Sequence, residues 1–425
     1  MMRRHSWPSG HWGWLIPVTH KHGIRSGRMV YVGGQVDKDI KGLVLHHDDL
    51  KTQTRVVVNH IRTVLADLDI DLDDIVKLVA FYVNDGRVDE DAFLTDLRSQ
   101  LDEGPAPALT TVPIPYLAYP GMLVEIETIA MRGEDQSRPR RTVSAPPGHW
   151  RLAGLFSQGV ACGNMIFVSG QVARDPSGKV RHPGDLARQT TDVLEQVGRI
   201  LSEHGATLDD VVKINSYYVA DAESPGAAWR RSFDACRAFF RAPGPVVTGI
   251  PLRWLPDGLV IKTDVIAMMG EDGRALPRRA VPGDGQVSSL LPPPFSSAVQ
   301  CGEMIYVSGQ VSMDATGTVL DPDGLVPQTH TVMGKIRTLL AGFGLSMDEV
   351  IKVNTYYKTG GTAEDLNANL RIRSACFTEP GPATTGISLP ALTDPGVAIT
   401  VEVTDSSGNV SRQTVDVVVP HSMGG

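Results

Sequence analysis

The string YVGGQV at residues 31–36 returns as FVSGQV at residues 167–172 and as YVSGQV at residues 306–311. Each copy follows a glycine-x-methionine lead-in at Gly27, Gly163 and Gly302. The order downstream repeats as well. A Gln-Thr pair (Gln53-Thr54, Gln189-Thr190, Gln328-Thr329) precedes DDIVKLVAFYV, DDVVKINSYYV and DEVIKVNTYYK. A Gly-Pro turn (Gly104-Pro105, Gly244-Pro245, Gly381-Pro382) then leads into LVEIETIAM, LVIKTDVIAM and VAITVEVTD. The linkers GEDQSRPRRTV and GEDGRALPRRAV match each other, and SSGNVSRQTV after the third copy is a weaker echo. A period of 136 and then 139 residues is far too long for a solenoid unit and marks three tandem copies of a whole domain. The expected division is 1–143, 144–281 and 282–425.

The 425-residue length leaves room for a core in each copy. With 42% hydrophobic and 21% charged residues, the composition is that of a globular chain and excludes disorder and fibrous repeats. A net charge of −8 repels phosphate backbones and anionic membranes, so neither nucleic acid nor a membrane is expected as a partner. The four cysteines, Cys162, Cys236, Cys301 and Cys376, are too scattered for a disulfide framework. Without a long apolar run or signal-like start, the expected location is cytoplasmic.

Repeat two shows the periodicities. Leu186, Thr190, Val193, Leu194, Val197, Ile200 and Leu201 form one helical stripe, ended by Gly205. Thr207 with Asp210 has capping-box spacing, and Ser346 with Glu349 recreates it in repeat three. The β-branched, aromatic run 211–219 reads as a strand, with Lys213, Asn215 and Tyr217 on one face and Val212, Ile214 and Tyr218 on the other. A second helix carries Trp229, Phe233, Cys236, Phe239 and Phe240. Each repeat thus reads strand, strand, helix, strand, helix, strand, strand, an α+β order with helices covering one face of a sheet.

This ordered set of motifs resembles the RidA/YjgF family of imine and enamine deaminases, in all three repeats. The resemblance implies chorismate-mutase-like domains that assemble as trimers with a ligand cleft at each interface. Three fused copies then form an intrachain pseudo-trimer, monomeric or in a low-order oligomer, with three clefts free to diverge. It also implies an arginine after the Pro-Ala turn that grips the substrate carboxylate, but here those positions are Leu109, Val247 and Thr384. The family's glutamate on the final strand aligns with Glu125, Lys262 and Thr400, and its pocket tyrosine with His20, Phe156 and Phe295. Ordinary 2-imino acid deamination is therefore not expected from the sequence.

The candidate catalytic residues are Glu125, as a general base, and His20, which exchanges protons near neutral pH in its unperturbed state. Arg253 and Trp254, without counterparts in the other repeats, are candidates for gripping an anionic or planar ligand, and Thr384 is a further substrate-binding candidate. Seven histidines precede residue 61, but without a ligand-like spacing, so neither a metal nor a cofactor is expected. The repeated GHW strings at 10–12 and 148–150 suit lids over clefts or packing arms. Cys162 and Cys301 share one slot and read as buried small hydrophobes. Lys77, Lys213 and Lys352 share a strand position in every copy, which suits fold or assembly. The expected function is a diverged enzyme acting on an imine, enamine or related reactive small molecule in one inter-domain cleft, by hydrolysis, proton transfer or cyclisation. The alternative is a non-catalytic small-molecule binding or scaffold protein; the charge counts against a ribonuclease.

Overall fold

The glutamine of each Gln-Thr pair ties its helix to the loop before the closing strand. In the computed structural model, which describes residues 3–101, 104–220, 225–281, 293–359 and 363–406, the Gln53 amide donates to the carbonyls of His46 and Gly121 and accepts from the Leu123 amide. Gln189 makes the same three bonds to His182, Gly258 and Val260. Gln328 does so with Asp321, Gly396 and Ala398. The threonine beside each donates to the carbonyl four residues earlier. These contacts are why the pair recurs.

Each repeat builds a six-stranded mixed sheet. The first comprises β1 (Arg3–Ser6), β2 (Gly23–Ser26), β3 (Met29–Val36), β4 (Ile75–Val83), β5 (Ala108–Ile114) and β6 (Val124–Met131), in the order β1-β2-β3-β6-β4-β5, with α1 (Leu50–Asp67) and α2 (Glu90–Ser99). The second comprises β7 (Arg141–Ser144), β8 (Gly159–Cys162), β9 (Met165–Gln171), β10 (Val211–Val219), β11 (Val246–Leu252) and β12 (Ile261–Met268), with α3 (Leu186–Glu203) and α4 (Pro225–Arg237). The third comprises β13 (Arg278–Val281), β14 (Ala298–Cys301), β15 (Met304–Val311), β16 (Val350–Lys358), β17 (Ala383–Leu389) and β18 (Ile399–Asp405), with α5 (Leu325–Ala341) and α6 (Ala363–Ser374). The chain is α+β throughout. β4–β5, β10–β11 and β16–β17 are the parallel pairs.

Two features depart from the sequence reading. An additional edge strand precedes each repeat, and the linker strands β7 and β13 pair with β8 and β14 of the sheet that follows them. The echo after repeat three lies, apart from Ser406, outside the described residues. The strict alternation expected in 211–219 is broken by a bulge between Val211 and Lys213, repeated at Ile75/Lys77 and Val350/Lys352. The bulge turns Val212 away from Ile214: Val212 joins a central cluster with Val76 and Ile351, whereas Ile214 packs under the helices. Both expected capping boxes form, Thr207 with Asp210 and Ser346 with Glu349.

The three sheets meet cyclically around a pseudo-threefold axis, β3 against β17, β9 against β5 and β15 against β11. The central cluster draws on all three repeats, including Tyr31, Phe167 and Tyr306 from the motif that defines them. Helices cover the outer faces; in repeat one, α1 places Val57, Ile61, Val64 and Leu65 on Val30, Val32, Leu78 and Ile126.

Beside the axis, each repeat passes a buried lysine to the next. Lys77 reaches Asp264 at 3.3 Å, Lys213 reaches Glu402 at 2.8 Å, and Lys352 reaches Glu127 at 2.8 Å. The acids lie on closing strands of repeats two, three and one, so the three pairs close a ring. Each ion is almost wholly removed from water, and its desolvation is offset only while its partner is present. Lys213→Met is expected to destabilise the chain by about 3–5 kcal/mol in chemical denaturation, because it strands the Glu402 carboxylate, whereas Lys213→Met with Glu402→Leu recovers most of the loss. A single substitution as mild as a surface change would contradict this role.

Candidate functional site

The glycine before the glutamine in each GGQ or SGQ string explains both the motif and the clefts. A Cβ on Gly34 would lie 1.8 Å from a Glu125 carboxyl oxygen; on Gly170 it would lie 3.0 Å from the Lys262 chain, and on Gly309, 2.8 Å from the Thr400 methyl. The closing-strand side chain of each repeat lies directly over this glycine and projects into the junction with a neighbour. One position thus sets the chemistry of each junction: Glu125 between repeats one and three, Lys262 between one and two, and Thr400 between two and three.

Glu125 and Thr384 come together in the one–three junction, in a cavity of about 40 Å³. Burial pushes the Glu125 carboxyl up to about 8; Lys352 opposes the shift and Glu127 adds to it. Glu127 lies on the same strand face, but its role is structural: it takes the Lys352 ammonium at 2.8 Å and accepts hydrogen bonds from Asn354 and Thr385. Although burial opposes its ionisation, those partners hold Glu127 below the ordinary carboxylate range. One ammonium therefore serves two neighbouring carboxyls, and the one in direct contact keeps the charge. At neutral pH Glu125 is mainly a carboxylic acid, so it is a proton donor there and the general base of the sequence reading only at higher pH.

Two cations that sequence reasoning missed share this cavity. Lys38, buried and 4.0 Å from the Tyr119 ring centroid, is lowered to about 8 by burial, with Glu125 and Asp39 acting in the opposite direction. Arg373 comes from α6 and is fully buried. Its Nε donates to Asn369 at 2.9 Å and its Nη1 to Thr384 Oγ1 at 3.1 Å. Among the described residues no acidic group lies within ion-pairing distance of Arg373, and burial lowers it to about 10. A signal was present: Leu366, Leu370, Arg373 and Phe377 follow helical spacing, so a charge interrupts an otherwise apolar stripe. Trp12 and Trp14 form the outer wall, with Trp12 Nε1 donating to Gln35 at 3.0 Å. The second GHW tryptophan, Trp150, lines the one–two cleft and donates to Gln196.

The structure separates the other candidates from Glu125. His20 lies at the same junction but outside the cavity, sealed against Phe377, with Nδ1 3.3 Å from the Pro382 carbonyl. Burial, aided by Arg373, lowers it to about 3, so it is a neutral packing group rather than a proton exchanger at neutral pH. Arg253 is exposed and Trp254 donates to the Asn84 carbonyl of repeat one at 3.2 Å; neither lines one of the three junction cavities. In the one–two junction, Lys262 pairs with Glu90 at 3.2 Å and donates to the Thr111 carbonyl and hydroxyl. His11, His22 and His60 cluster with Trp7, Trp12 and Trp14. Among the described residues, no group of three or more His, Cys, Asp or Glu side chains is placed to hold a metal. Cys162 and Cys301 are buried, and burial raises both thiols.

The folded chain holds His20 neutral to about pH 3, whereas an unfolded histidine binds a proton near pH 6.5. The unfolded state therefore binds more protons between these values, and stability falls as pH drops below about 6.5. His20→Phe, which installs the residue that repeats two and three carry in this slot, is expected to lose less stability between pH 7 and pH 4.5 in denaturant titrations. An unchanged pH dependence would place His20 in contact with water.

No helix of the described residues is long and apolar enough to cross a membrane. The family model for endoribonuclease L-PSP matches three times, at residues 18–132, 149–269 and 291–405. A RutC family protein of Pyrococcus abyssi is 32% identical over 114 residues, 27% of this chain and 86% of that protein. The 2-iminobutanoate/2-iminopropanoate deaminase of Rattus norvegicus is 30% identical over 117 residues, 28% of this chain and 82% of the deaminase. Among solved structures, a putative endoribonuclease of Thermotoga maritima is 29% identical, with a TM-score of 0.27 over 30% of this chain and 97% of that one. A chorismatase aligns over 78% of this chain and 93% of its own at 12% identity and a TM-score of 0.49. With three matches that together span most of its length, the chain belongs to the endoribonuclease L-PSP family, to which its RutC/RidA and YjgF relatives also belong.

Proposed function

We propose that the chain is a diverged family member that acts on a carboxylate-bearing imine, enamine or related reactive intermediate in the cleft between repeats one and three. One observation carries this reading: a carboxyl that burial pushes up to about 8 and an ammonium that burial lowers to about 8 share a cavity with a buried guanidinium that has no acidic partner among the described residues. Groups poised near the working pH are those best able to donate and accept protons. A buried guanidinium without a counter-ion favours an anion in its cavity. Arg373 thus supplies from α6 the cation that the residue at position 384 does not provide. The rat relative, by its name a deaminase of 2-imino acids, is consistent with this substrate class.

In this reading Arg373 holds the substrate carboxylate. Glu125, protonated, donates to the imine nitrogen or the enamine carbon, and the neutral fraction of Lys38 takes a proton from the water that adds to the C=N carbon. In the collapse of that adduct Lys38 passes its proton to the amine nitrogen, the Glu125 carboxylate takes the hydroxyl proton, the C–N bond breaks and a carbonyl is left, with both groups restored. The cavity of about 40 Å³ is too small for such a substrate, so binding requires Trp12 and Trp14 to move outward. The clefts that carry Lys262 and Thr400 lack the carboxyl and support binding without this chemistry.

The test is turnover of 2-aminoacrylate and other 2-imino acids generated in situ. Glu125→Gln is expected to lower kcat by about 10², since the amide keeps the shape but cannot give up the proton. Arg373→Met is expected to raise KM by about tenfold or more, and changes at Lys262 and Thr400 to matter less. No acceleration over buffer, or undiminished activity of Glu125→Gln, would contradict the proposal.

A further inference from the structure

The junction between repeats two and three contains a cavity of about 340 Å³, within the range of small-molecule sites and much larger than the one at Glu125. Its floor carries Thr400, whose buried hydroxyl has no hydrogen-bond partner among the described residues. One wall is the Trp229 ring, stacked on Tyr218 with centroids 5.4 Å apart and planes 24° from parallel. Gly249 lies beneath that ring, where a Cβ would fall 2.8 Å from the indole carbons. The wall is therefore flat, apolar and fixed before any ligand arrives.

The charge in this cavity comes from Lys335 on α5. Its Nζ donates to the carbonyls of Val311, at 2.9 Å, and Met313. In the other repeats neutral or weakly basic side chains make the corresponding anchors: His60 to the Val36 carbonyl and Gln196 to the Arg174 carbonyl. Anchoring this loop thus does not require a full positive charge, yet repeat three carries one. Among the described residues no carboxylate lies within ion-pairing distance of Lys335; Asp394, on the cavity lining, is matched by Arg230 at 3.8 Å, and the half-buried Asp314, which acts on Lys335 only from beyond that distance, is bonded to Thr316 and Thr318. An ammonium has three donors, and two are used.

We infer that this junction is a non-catalytic binding site for a small planar carboxylate, its ring against Trp229 and its carboxylate on the free donor of Lys335 and the Thr400 hydroxyl. The closing-strand position that carries Glu125 is a threonine here, and the carboxyl on the lining, Asp394, is matched by Arg230, so the ligand is held rather than transformed. The site is independent of the chemistry assigned to the Glu125 cleft.

The probe is 4-fluorobenzoate, followed by fluorine NMR on the intact chain, with 4-fluorobenzamide as its uncharged counterpart. The acid is expected to bind and the amide to bind at least about tenfold more weakly, as loss of a charge-assisted contact requires. Lys335→Gln and Trp229→Leu, each borrowing the residue another repeat carries at that position, should weaken the acid by about tenfold or more while circular dichroism stays unchanged. Arg373→Met should leave binding intact. Absence of binding, equal binding of acid and amide, an affinity unmoved by Lys335→Gln, or loss in Arg373→Met would each overturn the inference; the last would locate the ligand beside Glu125 instead.

Discussion

Three buried lysines, each held by a carboxylate of the next repeat, are the constraint on which the other features depend. An ion away from water is tolerated only with its partner in place, so Lys77, Lys213 and Lys352 fix which strand faces which across every junction. The bulge beside each lysine turns Val76, Val212 and Ile351 toward the centre, where they complete the apolar cluster. Assembly and site formation are consequently one event: a cleft exists only where two repeats are locked together.

The same ring sets the chemistry of the first cleft. Burial pushes the Glu125 carboxyl up, and Lys352, bonded directly to Glu127, opposes that shift only at longer range, so Glu125 and Glu127 reach opposite protonation states. Fusion into one chain makes the three closing-strand positions separate residues. Glu125 gives an acid, Lys262 an ion pair with Glu90, and Thr400 a hydroxyl with no partner among the described residues. The glycine beneath each accepts all three, since what it provides is space.

Much of this was legible in the sequence because it is local or repeated. Three copies of one string gave the repeat count, and the helical stripe of repeat two, the Gln-Thr pairs and the capping boxes gave its elements. Glu125 and Thr384 were picked out as separate candidates through the resemblance, and the fold is what brings them into one cavity. The bulges were hidden because they break the period-two rule within a run whose composition is uniformly strand-like. Arg373 and Lys38 were missed because the cavity that gives them a role is assembled from distant parts of the chain: Arg373 bonds Asn369 and Thr384 within its own repeat, but shares a cavity with Lys38 and Glu125 only after repeats one and three close on each other. His20 was misread because burial reverses the usual behaviour of an imidazole, and its burial comes from Phe377, more than 350 residues later.

Burial leaves Glu125 protonated at neutral pH because the ring ammonium of Lys352 is committed to Glu127. Difference infrared spectroscopy of the intact chain, with Glu125→Gln as reference, tests this protonation through the carboxylic acid C=O stretch. The expected result is a protonated-carboxyl band at pH 7 that is absent from the variant and titrates away with a midpoint near 8. A Glu125 signal already ionised at pH 7, with a midpoint near the ordinary glutamate value of about 4.3, would contradict it.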